Sequence, residues 1–160
     1  MKKKIAILGS TGSIGKSTLD VISKDIKNFD IVLLSANNNY KELVKQAKKF
    51  KVKNIIIKNK LLYQKVKKLL KKTKTKVFSG NTSISSIIQG KIDLTMSAIV
   101  GLAGLQPTVD AIKVSKTVAL ANKETIICAW HILEKLIKKY KTEIIPVDSE
   151  HFSIMELIQN

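Results

Sequence analysis

Few folds accommodate a glycine-rich heptad, Gly9-Ser10-Thr11-Gly12-Ser13-Ile14-Gly15, placed directly after a short buried strand and directly before a helix. Lys4 to Leu8 reads as the strand and about Gly15 to Asp25 as the helix. Glycines permit a tight turn and let the backbone approach a pyrophosphate, which the helix N-terminus then stabilises. The spacing G-x-x-G-x-x-G is a variant of the dinucleotide fingerprint G-x-G-x-x-G, and alone it could be an ordinary glycine-rich βα turn. Its position at the head of an alternating strand–helix chain strengthens it. Gly15-Lys16-Ser17 also resembles the end of a P-loop, but that motif needs a glycine five positions earlier, where Ser10 stands.

The rest of the chain keeps the alternation. Strands are predicted at Ile31 to Ser35, Asn54 to Ile57, Lys76 to Ser79, Ile92 to Ala98, Thr117 to Leu120 and Glu143 to Val147. Helices are predicted at Lys41 to Phe50, Leu61 to Leu70, Ser83 to Ile88 and Lys123 to about Tyr140, with a further helix near Pro107, where a missing N–H costs nothing in a first turn. This order implies βαβ units, hence an α/β, Rossmann-like, doubly wound and mainly parallel sheet. Residues 1–145 are expected to form that domain and residues 146–160 to begin another.

The 160 residues suffice for one domain with a real core, and with aromatics at only 5% that core must be aliphatic. No apolar stretch approaches the roughly 20 residues that span a bilayer. The four-residue apolar run after Met1-Lys2-Lys3-Lys4 is too short for a signal peptide. A single cysteine, Cys128, fits a reducing cytoplasm, and its apolar neighbours predict a small buried hydrophobe. The formal charge is +17, yet all 29 basic residues are lysine. Specific nucleic-acid readers lean on the bidentate fork of arginine, so the charge reads as solvated surface that attracts anions by long-range steering. No specific nucleic-acid partner and no membrane are expected.

Two further turns carry chemistry. The second strand ends in Ser35-Ala36-Asn37-Asn38-Asn39, with no carboxylate between Asp30 and Glu42. A carboxylate there would bond the ribose 2′-OH of NAD, and its absence beside Lys41 favours NADP; three asparagines could also simply form a turn. Pro146-Val147-Asp148-Ser149-Glu150-His151-Phe152 follows the last strand. In an extended segment Asp148 and Glu150 project to one side, two hard oxygen donors suited to Mg²⁺ or Mn²⁺. The same residues could form a helix N-cap with Ser149 capping. His131 and His151 read as structural.

Four strings in order, G-S-T-G-S-I-G at 9–15, S-A-I-V-G-L-A-G-L-Q-P-T at 97–108, A-L-A-N-K-E at 119–124 and P-V-D-S-E-H-F at 146–152, resemble the signatures of 1-deoxy-D-xylulose 5-phosphate reductoisomerases. The resemblance covers the whole chain but less than half of a typical family member. It implies that Thr11, Gly12, Ser13 and Ile14 hold the NADPH phosphates and that Asn37, Asn38 and Asn39 flank the adenosine ribose. The family usually has glycine where Asn37 stands and often a basic residue where Asn38 stands. Asn122 and Glu124 are implied at the nicotinamide side, Lys123 at the substrate and in catalysis, Asp148 and Glu150 at the metal and in catalysis, and Ser149 and Glu150 at the substrate. The implied substrate is a sugar phosphate, isomerised and then reduced by NADPH with a divalent metal, and the full-length member is implied to be a homodimer. A third metal carboxylate, the substrate-phosphate residues and a lid would lie past Asn160, so this chain alone is expected to lack a complete active site. The alternatives are an isolated NADPH-binding module and a lysine-rich nucleic-acid binder.

Overall fold

Short runs of isoleucine, leucine and valine offer water no polar face, so they form strands covered on both sides, as parallel sheets require. The computed structural model describes residues 1–147. Its strands are β1 (Lys3–Leu8), β2 (Phe29–Ala36), β3 (Asn54–Ile57), β4 (Lys76–Ser79), β5 (Ile92–Ser97), β6 (Ser115–Leu120) and β7 (Glu143–Pro146). They form one seven-stranded sheet in the order β4-β3-β2-β1-β5-β6-β7, parallel throughout. The connecting helices are α1 (Ser13–Lys24), α2 (Tyr40–Lys49), α3 (Tyr63–Leu69), α4 (Ile84–Ile87), α5 (Leu105–Val114) and α6 (Lys123–Tyr140). The chain is thus the Rossmann-like α/β domain that its alternation predicts.

The core divides by the faces of the sheet. Ile5 and Ile7 of β1 pack with Leu19 and Ile22 of α1, Leu43 and Ala47 of α2 and Val66 of α3. Ala6 and Leu8, pointing the other way, pack with Ile84 of α4, Ala111 and Ile112 of α5 and Leu133 of α6. Register slips once between β1 and β2: Ile5 pairs with Ile31 but Ala6 with Leu33. That extra residue resets the phase of β2, so Val32 and Leu33 both join the second layer while Leu34 returns to the first.

The order of the strands locates the ligand side. From β1 the chain steps outward through β2, β3 and β4, then β5 returns to the other flank of β1. Where successive connections part to opposite faces, the carboxyl ends of the strands leave a crevice. Here it lies at the ends of β1 and β5.

Local boundaries shift by one or two residues from the sequence expectation. Helix α1 starts at Ser13 rather than Gly15; a 3-10 turn at Lys60–Leu62 precedes α3; and β6 begins at Ser115 rather than Thr117. Cys128 departs from expectation altogether, since it is exposed. Helix α6 buries Thr125, Ala129 and Leu133, a stripe at four-residue spacing. Cys128 falls off that stripe, as do Ile127 at 77% and Trp130 at 49% exposure. Apolar neighbours along the chain do not reveal which face of a helix a residue occupies.

Candidate cofactor site

The glycine-rich turn is fastened before it meets any ligand. Gly9 has φ +80, a left-handed conformation that glycine adopts at no steric cost. Its N–H donates to Ser35 Oγ at 3.1 Å, and the Ser10 N–H donates to Ser35 O at 2.9 Å. The buried Ser10 hydroxyl donates to Gln46 Oε1 at 2.8 Å, while Gln46 Nε2 donates back to Ser10 O at 2.9 Å. A reciprocal pair inside the protein is costly to leave half-made, so β2 and α2 together hold the turn rigid. Gly12 then N-caps α1 without a side-chain hydrogen bond. The first N–H groups of α1 therefore lack intrahelical acceptors and add to a positive dipole end, the natural seat for a phosphate.

Turns from five strands close around this point. A groove of about 450 Å³ is lined by Gly9, Thr11 and Gly12 after β1, Asn37 after β2 and Lys58 after β3. Gly80, Asn81 and Thr82 after β4 and Ala98, Ile99 and Val100 after β5 complete its rim, with Gln106 and Asp110 of α5 on its wall. Gln106 Nε2 and Lys113 Nζ both donate to Asp110 Oδ1, at 3.2 and 3.3 Å. The apolar floor with few polar groups on the rim is the usual character of a cofactor pocket.

The asparagines divide their tasks. Asn39 Oδ1 accepts from the Glu42 N–H at 3.2 Å and caps α2, and Asn38 Oδ1 accepts from Asn59 Nδ2 at 2.9 Å. Asn37 is the one of the three that lines the groove. Asn122 is buried at 1% exposure. Its amide donates to Gly101 O at 2.8 Å and to Ile99 O, and its oxygen accepts from the Thr125 N–H at 3.0 Å, capping α6. It thus clasps the loop after β5 to the start of α6. Gly104 is obligatory beneath this clasp, because a Cβ there would run into Ile99 O and the Asn122 amide.

Of the residues predicted for the site, Thr11, Gly12 and Asn37 line the groove, and Ser13 and Ile14 open the helix beside it. Asn38 and Asn39 stand in the adjoining turn. Lys123, exposed, and Glu124, half-buried, follow Asn122 at the carboxyl end of β6, on the same edge of the sheet but outside the groove lining. Asp148, Ser149, Glu150 and His151 lie outside the described residues. Among the described residues no group of three His, Cys, Asp or Glu could hold a metal ion. No helix there is long and apolar enough to cross a membrane.

Sequence reasoning missed Gln46 and Lys58. Gln46 carried a signal, a polar residue three positions after Leu43 on the apolar face of an amphipathic helix. Lys58 carried none, being one of 29 lysines.

Comparison with known proteins identifies the family and the fold. A profile of the family described as 1-deoxy-D-xylulose 5-phosphate reductoisomerase matches residues 5–130. The protein of that name from Pelagibacter ubique is 54% identical over 160 residues, covering 99% of this chain and 41% of the relative. That from Phocaeicola vulgatus is 42% identical, covering 99% and 42%. The solved reductoisomerase from Zymomonas mobilis in complex with NADPH superimposes with a TM-score of 0.88 at 37% identity, over 94% of this chain and 40% of that one. A structure of DOX-P reductoisomerase in complex with NADPH, fosmidomycin and magnesium gives 0.87 at 33% identity, over 93% and 37%. The chain thus spans about 41% of the length of the first of these relatives.

Proposed function

Because the chain belongs to the 1-deoxy-D-xylulose 5-phosphate reductoisomerase family, we propose that it forms the NADPH-binding unit of an enzyme converting that sugar phosphate to 2-C-methyl-D-erythritol 4-phosphate. Residues 1–145 would be the cofactor domain and 146–160 the start of the catalytic one. The observation that carries the reading is the rigid glycine turn at the switch point, with a helix N-terminus that no side chain caps beside a groove of about 450 Å³.

The residues fit the cofactor chemically. A Cβ on Gly12 would meet only Gly9 O, at 3.4 Å, so the surface above Gly12 is open to a pyrophosphate. Thr11 offers a hydroxyl beside it, and Ser13 and Ile14 offer backbone N–H donors. Asn37 stands where the ribose of the adenosine would lie. Asn122, its own amide spent on the clasp, would act by holding the loop after β5 and the start of α6 in place, which sets Lys123 and Glu124 at the nicotinamide and substrate side. NADPH supplies the hydride when bound; the protein supplies position and field. Asp148, Glu150 and Ser149 remain the proposed metal and substrate ligands, with Mg²⁺ or Mn²⁺ the matching hard cation.

The test is fluorescence titration of the chain with both nicotinamide cofactors. NADPH should bind more tightly than NADH, because no carboxylate closes β2. Equal affinities or an NADH preference would overturn the cofactor assignment.

The charge calls for its own experiment. Its lysines are scattered over several helices, α1, α2, α3 and α6 among them, and they attract phosphates without reading bases. Filter binding to nucleic acid against salt should give affinity that collapses near physiological ionic strength and ignores sequence. Salt-resistant, sequence-selective binding would instead favour a nucleic-acid function.

A further inference from the structure

We propose that the Lys58 ammonium recognises the ribose 2′-phosphate, which makes Lys58 the residue that selects NADPH over NADH. The inference rests on the NADPH reading of the groove. Lys58 is the first residue past β3, and its N–H donates to Ala36 O at 2.9 Å. The next residue binds the turn after β2 twice, from the Asn59 N–H to Asn37 O at 3.3 Å and from Asn59 Nδ2 to Asn38 Oδ1 at 2.9 Å. Three hydrogen bonds thus lock the base of Lys58 beside the asparagine turn. Ile56 lines the groove, and strand alternation sends Lys58, two residues on, to the same face. Lys58 itself lines the groove beside Asn37.

Lys41 and Lys60 do not line the groove, and several other neighbours are engaged elsewhere. Asn38 occupies a position where the family often carries a basic residue, and it has given its oxygen to Asn59. Asn39 caps α2. Lys53 pairs with Asp30 at 2.9 Å. Lys65 lies 4.8 Å from the centre of the Tyr40 ring, and its ammonium beside the phenol lowers the Tyr40 pKa. The stem of Lys60 lies against Gly80. Among the described residues no carboxylate stands within ion-pair distance of Lys58.

The surroundings favour an anion as well. Residues 41–76 hold 15 lysines and a single carboxylate, Glu42, giving +14 of the chain's +17. This flank of the groove therefore sits in a positive field that would draw the most highly charged end of NADPH toward it. The chain has no arginine, so recognition falls to a compact ammonium, which acts as a point charge and is sensitive to salt.

The experiment compares dissociation constants for NADPH and NADH on the 160-residue chain and on Lys58→Gln, Lys58→Arg and Lys74→Gln, at low and high salt. Competition by 2′,5′-ADP and by 5′-AMP reads the same contact without the nicotinamide. Lys58→Gln should weaken NADPH and 2′,5′-ADP roughly tenfold, as loss of one charge-assisted contact implies, and flatten their salt dependence. NADH and 5′-AMP should change by less than about twofold. Lys58→Arg should keep the preference. Lys74→Gln removes an equal charge near the opposite end of the sheet and should change every value by less than about twofold, leaving the NADPH-to-NADH ratio intact. A wild-type NADPH-to-NADH ratio in Lys58→Gln overturns the assignment while the groove stands as the cofactor site. Equal weakening of both cofactors also overturns it, since Lys58 would then touch the adenosine they share. An unaltered chain that binds no NADPH removes the cofactor reading and this assignment together.

Discussion

Gly12→Val should lower NADPH affinity by at least a hundredfold, about 2.7 kcal/mol, while the protein stays folded. Gly15→Val should fail to fold. The two glycines lie three residues apart in one motif, and the difference between them is local geometry. At Gly12 the backbone has φ −77 and ψ 175, an extended conformation that valine adopts readily. A Cβ there makes only the contact with Gly9 O at 3.4 Å. The cost to stability is that of a poor N-cap, on the order of 1 kcal/mol, whereas the isopropyl group would fill the seat of the pyrophosphate. At Gly15 a Cβ would come within 2.6 Å of Ser10 Cα and 2.8 Å of Ser10 C. Those are backbone atoms, held by the Ser35 and Gln46 bonds, and they cannot swing aside as a side chain would. Relief requires moving α1 away from β1, at more than the roughly 1–3 kcal/mol of ordinary overpacking and so at a large share of the roughly 5–15 kcal/mol that stabilises a whole domain. Circular dichroism and cofactor titration on the two variants separate the cases. Wild-type NADPH binding by Gly12→Val would mean that the turn is structural and that the cofactor lies elsewhere.

The second large effect concerns turnover. Assayed with 1-deoxy-D-xylulose 5-phosphate, NADPH and Mn²⁺, residues 1–160 should oxidise NADPH at least about a thousandfold more slowly than a protein carrying these residues at the full length of the relatives. A thousandfold loss is about 4 kcal/mol of transition-state stabilisation, a modest figure for removing most of a metal site. Mg²⁺ and Mn²⁺ prefer six oxygens, of which the protein commonly supplies one or two carboxylates and substrate and water supply others. Asp148 and Glu150 would provide two, and the family resemblance implies that a third carboxylate lies past residue 160. In the longer protein, Asp148→Asn and Glu150→Gln should each remove most of the restored rate and weaken Mn²⁺ binding. Full turnover by residues 1–160 would show that the catalytic groups have been misassigned.

The site was legible in proportion to how local its physics is. The glycine turn needs a strand, a tight bend and a helix in succession, and all three are written within fifteen residues. Asn39 and Asn122 precede helices and cap them, the role that asparagine takes at such positions. The dual role of Asn122, however, depends on the loop 99–101, more than twenty residues away, and no spacing rule reports it. Lys58 shows the same limit more sharply. Its type is commonplace in this chain, and its importance comes only from the parallel pairing that sets the end of β3 beside the end of β2.

From the sequence alone follow the parallel α/β class, the place of each strand and most helices, the glycine-rich turn between the first strand and helix, and an absence of acid after the second strand that favours NADP. These are consequences of periodicity and backbone chemistry, which act over a few residues. Tertiary structure decided the strand order, the groove that five separate turns enclose, the outward face of Cys128 and the choice of Lys58 among many equal lysines. Each of these depends on which surfaces meet, and packing between distant segments is settled by the fold as a whole.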